Sequence, residues 1–153
     1  MPSERRYTVS EAQLPGDLPA IHRIRQQVFV EEQGISARLE WDGRDTLCRH
    51  VLASDLQRVP IGTGRLDPEA RIGRMAVLPP WRRHGVGSAL LDTLLRLAQD
   101  LGHREVVAHA QCDVVEFYRK AGFREQGRPF SEAGIEHLIM VKTLASGNNE
   151  SNR

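Results

Sequence analysis

The sequence predicts a mixed α/β (α+β) fold: a mostly antiparallel sheet of six or seven strands with helices packed on both faces. Three observations predict it. Residues 50–54, 60–66 and 71–78 are short strand-like runs joined by short connections, the pattern of an antiparallel meander. After them, Val86, Leu90, Leu94, Leu97 and Leu101 recur at three- and four-residue steps and draw one apolar helical face. The next apolar run, residues 105–110, then lies parallel to the strand before that helix and closes a βαβ unit.

The remaining elements follow in order. Residues 6–10 form a short first strand, with Tyr7 and Val9 on one face. Leu14-Pro15-Gly16-Asp17 is turn chemistry, and Asp17 with Pro19 just inside marks a helix start. Leu18, Ile21, Ile24, Val28 and Phe29 give that helix its apolar stripe, and Gly34 ends it. Residues 36–46 alternate poorly and read as a charged loop; so long a loop in a compact domain is often functional. Gly102 caps the long helix, and a shorter helix follows over 113–121, with Asp113 as N-cap and Gly122 as its stop. Residues 123–126 and 135–144 close the sheet as a strand pair. Residues 1–144 form one domain, and 145–153 a polar, disordered tail.

Composition narrows the function classes. A chain of 153 residues, 40% hydrophobic and 27% charged, is of single-domain size and globular in class. No apolar run reaches the length of a membrane span and the N-terminus lacks a signal-peptide core, so a cytoplasmic protein with no membrane partner is expected. A net charge of +1 gives no push toward nucleic acid. Cys48 and Cys112 make neither a disulfide framework nor a metal-binding spacing, and no metal is expected. Charge is unevenly distributed: Glu31, Glu32, Glu40, Asp42 and Asp45 come early, Arg65, Arg71, Arg74, Arg82 and Arg83 later. Were both groups to border one cleft, an anionic cofactor and a cationic substrate could meet there.

The turn Arg82-Arg83-His84-Gly85-Val86-Gly87 sits between a strand and the long helix. Helix starts present unpaired N–H groups and a positive dipole end, and glycines let a ligand approach the backbone, so this turn suits an anion such as a phosphate. A Walker loop would need Lys and then Ser or Thr after its last glycine, but Gly87 is followed by Ser88-Ala89. A dinucleotide fingerprint would need a third glycine where Leu90 stands, and a position early in the fold.

The remaining pattern, Arg82-x-x-Gly85-x-Gly87, resembles the pyrophosphate turn of the GNAT superfamily of acetyl-CoA-dependent N-acetyltransferases. Helix residues 24–29, Gly62-Thr63-Gly64-Arg65, Met75-Ala76-Val77 and Phe117-Tyr118-x-x-x-Gly122-Phe123 match the family in its order, across nearly the whole chain. Residues 25–34, Gly73-Arg74-Met75 and Gly134-Ile135-Glu136-His137 resemble its small bacterial ElaA-like branch. The resemblance implies a V-shaped split between the fourth and fifth strands, opened by a bulge near Met75, with acetyl-CoA as co-substrate in the gap. It implies acetyl transfer to a primary amine of a small molecule or peptide, by direct attack through a tetrahedral intermediate, in a monomer or homodimer. The alternatives are a catalytically inactive CoA-binding or sensing module, and a protein lysine or N-terminal acetyltransferase.

Carried onto this chain, the resemblance assigns cofactor contacts to Met75, Ala76 and Val77 and to the turn, Arg82, Arg83, His84, Gly85, Val86, Gly87 and Ser88. An N–H near Met75 or Ala76 would polarise the thioester carbonyl, and Tyr118 would touch the cofactor as general acid to the departing thiol. In many relatives a polar residue, often Asn, contacts the pantetheine just after the fifth strand; here Cys112 occupies that segment, and a cysteine there could carry an acyl group. The general base is open. His50, His109 and His137 fall in or beside predicted strands, and Glu32, Glu40 and Asp42 lie near the first helix and loop; His137 and Glu40 lead, with bound water as the other route. The acidic group also suits a recognition surface for a cationic amine.

Overall fold

A computed structural model of the chain describes residues 5–145. The strands are β1 Tyr7–Glu11, β2 Arg49–Asp55, β3 Pro60–Leu66, β4 Arg71–Val77, β5 Glu105–Gln111, β6 Arg124–Glu132 and β7 Ile135–Thr143. They form one seven-stranded sheet in the order β1-β2-β3-β4-β5-β7-β6. Every neighbouring pair is antiparallel except β4 and β5. The helices are α1 Leu18–Arg25, α2 Ala37–Glu40, α3 Val86–Asp100 and α4 Val115–Lys120.

Helices cover both faces because side chains alternate along each strand. On β3, a Cβ at Gly62 would meet Leu90 at 3.0 Å, and one at Gly64 would meet Leu94 at 2.8 Å, so α3 packs directly on bare backbone. Arg65, one residue on, points to the opposite face, which α1 covers, and reaches Asp45 in the segment after α2. There Ile24, Val28 and Phe29 pack on Ala76 of β4. The glycines of β3 are therefore an approach surface for a helix.

The sheet opens between its fourth and fifth strands, as expected. The β4–β5 ladder holds only at Arg71↔Val107 and Ile72↔Ala108. One strand earlier, Thr63 faces Ala76 and Arg65 faces Gly73, so Gly64 alone opposes both Arg74 and Met75. This is a bulge, with Arg74 at φ 50, and bulges increase local twist. It lies where β4 leaves β5.

Several local expectations are corrected. The first helix changes register: beyond Arg25 the chain continues as a π-helical segment, Gln26–Glu32, before Gly34 at φ 74. Asp17 sits at the N-cap, but its carboxylate accepts from the Gln13 N–H upstream. Asp113 does not cap α4, whose N-cap is Val114 with no side-chain bond. Residues 36–46 contain α2, capped by Ser36, and the start of a 3-10 turn, Asp45–Leu47. The sixth strand runs on past Gln126 to Glu132, because a register shift absorbs Gly127 and Pro129 at the sheet edge. Ala133 at φ 54 and Gly134 at φ 76 make the two-residue turn into β7. The predicted polar tail, apart from Ala145, lies outside the described residues. Among those residues, no helix is long and apolar enough to cross a membrane.

Candidate active site

The glycine turn has the geometry of an anion cradle. Arg83 and Gly85 adopt positive φ, 65 and 83, which swings the chain into α3. Hydrogen bonding within α3 begins with Ala89 N–H donating to Gly85 C=O at 3.0 Å. The N–H groups of Val86, Gly87 and Ser88 are left pointing out of the helix start. A Cβ on Gly87 would lie 3.5 Å from the Phe117 ring, so this backbone is hemmed in by α4.

The turn forms one end of a cleft of about 700 Å³ that follows the gap between β4 and β5. The cleft brings together most of the residues singled out in the sequence. Arg82, Arg83, Gly85, Val86, Gly87 and Ser88 line it, as do Met75, Ala76 and Val77 on β4, Tyr118 on α4, His137 on β7 and Glu40 on α2. Five singled-out residues do not line it: the candidate bases His50, Glu32 and Asp42, and the expected cofactor contacts His84 and Cys112. His84 turns its ring toward Trp81, centroids 6.1 Å apart. Cys112 is exposed beyond the end of β5, where the neighbours that face the cleft are Gln111 and Val114.

Tyr118 is 5% exposed, with Phe117 and Phe123 each edge-on at 5.2 Å. Burial pushes its phenol well above the ordinary range, so it stays protonated. His137 is fixed by its backbone surroundings: Nδ1 lies 2.7 Å from the Ile135 carbonyl. A carbonyl only accepts, so Nδ1 carries the proton of the neutral ring and Nε2 keeps its lone pair.

The strand register assembles a second histidine cluster here. His109 and Gln111 of β5, His137 of β7, and Phe130 and Glu132 of β6 share one face through the pairs Gln111↔His137 and Phe130↔His137. His109 Nδ1 is 2.8 Å from Glu132 Oε1, and Arg71 Nη2 donates to Glu132 Oε2 at 3.2 Å. Burial raises the Glu132 carboxyl, but the His109 hydrogen bond and the Arg71 charge outweigh it and hold it low. Glu132 was missed because it lies beyond the predicted end of its strand. Gln33 and Gln111 were missed as well: Gln111 Nε2 donates to Gln33 Oε1 at 3.0 Å, joining the π-helical segment's end to β5.

Within the two groups separated in the sequence, Glu32, Glu40, Asp42 and Asp45 are partners of Arg65, Arg74 and Arg82. Arg82 makes two bonds to Glu32, both 2.6 Å, and Nε donates to the Val77 carbonyl at 2.9 Å; its guanidinium ties the first helix to the end of β4. Arg25, 0% exposed, donates to Glu40 Oε2, and to Asp45 Oδ1 at 2.7 Å. Arg65 binds Asp42 at 2.7 and 3.0 Å and Asp45 at 2.9 Å. Arg74 reaches Asp42 at 3.2 Å and Glu40 Oε1 at 3.3 Å. Glu40 therefore has a guanidinium beside each carboxylate oxygen, Arg25 hydrogen-bonded to Oε2 and Arg74 Nε 3.3 Å from Oε1, while burial outweighs those charges and raises its carboxyl. The expected acidic surface for a cationic amine is replaced by a neutralised wall.

Comparison with known proteins shows the family. Residues 24–144 match the model of the acetyltransferase (GNAT) domain. The chain belongs to the GNAT acetyltransferase family. A candidate acetyltransferase of Bacillus subtilis is 37% identical over 132 residues, 82% of this chain and 89% of that protein. A candidate N-acetyltransferase from Lactobacillus plantarum, known from its crystal structure, superposes with TM-score 0.84 at 33% identity, covering 92% of this chain and all 100% of that one. Escherichia coli ElaA shares the fold at TM-score 0.78 and 24% identity, over 88% of this chain and 99% of its own. In this GNAT-type N-acetyltransferase the start of α3 forms one end of the cleft between β4 and β5.

Proposed function

We propose that the protein transfers an acetyl group from acetyl-CoA to a primary amine of a small molecule or peptide by direct attack on the thioester. One observation carries this reading: the unpaired N–H groups of α3, the open edge of β4, Tyr118 and His137 Nε2 all border one cleft. The residues present fit the cofactor. The Val86–Ser88 N–H groups and the Arg83 side chain suit a pyrophosphate, and the strand edge beyond Ile72 suits an extended amide arm. Acetyl-CoA supplies the activated acetyl group. A β4 N–H near Met75 or Ala76 stabilises charge on the carbonyl oxygen. The acceptor nitrogen would add to the thioester carbonyl to give a tetrahedral intermediate, its proton passing to His137 Nε2, and the C–S bond would then break with the sulfur leaving as thiolate, hydrogen-bonded by the Tyr118 hydroxyl. Glu40 holds the cleft wall through Arg25 and Arg74. The position of Cys112 outside the cleft lining supports direct transfer over an acyl-cysteine. Free Cys48 and Cys112 suit a reducing compartment, in keeping with a cytoplasmic site of action.

The test is thiol release from acetyl-CoA across a broad panel of amines and peptides. Turnover on at least one primary amine is the expected result. Binding of CoA with no turnover on any acceptor would return the reading to an inactive CoA-binding or sensing module. Turnover confined to peptide N-termini or lysines would make it a protein acetyltransferase. The cofactor end has its own check. Gly87→Asp sets a carboxylate against the bound phosphates and the Phe117 ring, and is expected to weaken CoA binding about tenfold or more by calorimetry. Unchanged affinity would remove the phosphate role of the turn.

A further inference from the structure

We infer that the acceptor is a monoamine carried on an apolar body, and not a polyamine or another multiply cationic molecule. This narrows the acyl-transfer reading of the same cleft and rests on it. Two observations carry the inference, one electrostatic and one apolar.

The carboxylates lining the cleft are Glu40 and Glu132, and both are already matched. Glu40 is clasped by Arg25 and Arg74, and it is 3% exposed. Glu132 is shared between Arg71 and His109 at 3.2 and 2.8 Å. Behind the wall, Asp42 and Asp45 are bound by Arg65, Arg25 and Arg74. A second ammonium group on the acceptor would have to displace a guanidinium from one of these pairs, of which Arg65–Asp42 is bidentate.

The apolar observation concerns the cleft walls. Leu39 is 57% exposed on α2 and Val114 is 38% exposed at the β5–α4 junction. Exposed apolar side chains scattered singly over a surface are ordinary. These two line the same cleft, together with Ile35 and Phe29. An acceptor with an aromatic or branched aliphatic body would cover them on binding while its single amine reaches His137.

The experiment compares kcat/KM for 2-phenylethylamine and spermidine, with acetyl-CoA saturating, in the wild type and in Leu39→Glu. The wild type is expected to favour 2-phenylethylamine by about tenfold or more, the scale on which an apolar pocket discriminates. Leu39→Glu adds an unmatched carboxylate to the cleft lining, and is expected to shift the ratio toward spermidine about tenfold with CoA affinity unchanged. Val114→Glu is the second variant, should the first fail to fold by its thermal transition. Equal or better use of spermidine by the wild type overturns the inference and leaves acyl transfer standing. A ratio unmoved in the folded variants also overturns it. CoA binding without turnover of any amine, including the full panel, takes down the acyl-transfer reading and this inference with it.

Discussion

Tyr118→Phe is expected to lower kcat about 10²-fold at saturating substrates while leaving CoA affinity and thermal stability near wild type. The expectation follows from its surroundings. The ring packs between Phe117 and Phe123, contacts that phenylalanine reproduces, so the substitution removes only the hydroxyl. General acid groups contribute about 10²–10⁴-fold, and this phenol belongs at the lower end. Burial raises its pKa far above that of a thiol, so transfer of the proton to sulfur runs uphill. Its contribution is a hydrogen bond to charge growing on sulfur as the C–S bond lengthens, about 2.7 kcal/mol for 10²-fold. Because the phenol is protonated throughout the assay range, the variant should show the wild-type pH profile at a lower level. An unchanged kcat would assign Tyr118 to packing alone.

Arg25→Leu is expected to cost about 3–5 kcal/mol of stability, the scale on which removing one partner of a buried ion pair destabilises a protein. For a chain of this size that lowers the unfolding midpoint by about 10 °C. The side chain is 0% exposed and donates to Glu40, to its carbonyl at 3.2 Å, and to Asp45 at 2.7 Å. It also lies over Trp41, 5.2 Å from the ring centre. Leucine fills part of the space but leaves two carboxylates short of a partner. The pH dependence supplies a second readout. Burial raises the Asp42 and Asp45 carboxyls, but Arg65 outweighs it at Asp42 and Arg25 with Arg65 at Asp45, lowering Asp45 to about 2 and Asp42 further. Carboxyls depressed in the folded state stabilise it fully above their unfolded value near 4. That stability is lost as pH falls through the folded values, so the wild-type midpoint should drop steeply from about pH 4 toward 2. Without Arg25 the Asp45 value rises and the drop becomes shallower. A variant with the wild-type midpoint and acid slope would show that Arg25 holds nothing in place.

The structure also bears on acceptor chemistry. A strong ion network sits immediately behind the cleft wall, and α2 and the π-helical end of the first helix are tied down by Arg25, Arg74 and Arg82. The Arg25 and Arg74 pairs on Glu40 are buried and screened little by salt, whereas Arg82–Glu32 is exposed and is screened more. The wall should therefore hold its shape across ionic strengths that would dissolve a surface recognition patch for cations.

The centre of the fold was legible in the sequence because its signals are local. The leucine period of α3, the glycines of β3, and Gly85 and Gly87 each state a requirement of their own neighbourhood: an apolar face, a close helix, an open helix start. Reading them in order yielded the meander, the crossover and the anion cradle. The motif at Tyr118 likewise pointed to the same end of the sheet. What the sequence could not show were pairings between segments far apart in the chain. Arg25 with Glu40 and Asp45, Arg65 with Asp42, and Arg82 with Glu32 were readable only as two groups of opposite charge. Whether such groups face a ligand or each other depends on the approach of the first helix and α2 to β3 and β4. The His109–Glu132 pair depended on a sheet-edge shift at Gly127 and Pro129 that carries β6 six residues beyond its predicted end at Gln126. Chain-local chemistry therefore marked the glycine-turn end of the cleft, the end proposed to hold the cofactor. Its acceptor end was decided by tertiary contacts, because charge compensation and strand register are relations between distant residues and leave no pattern in either segment alone.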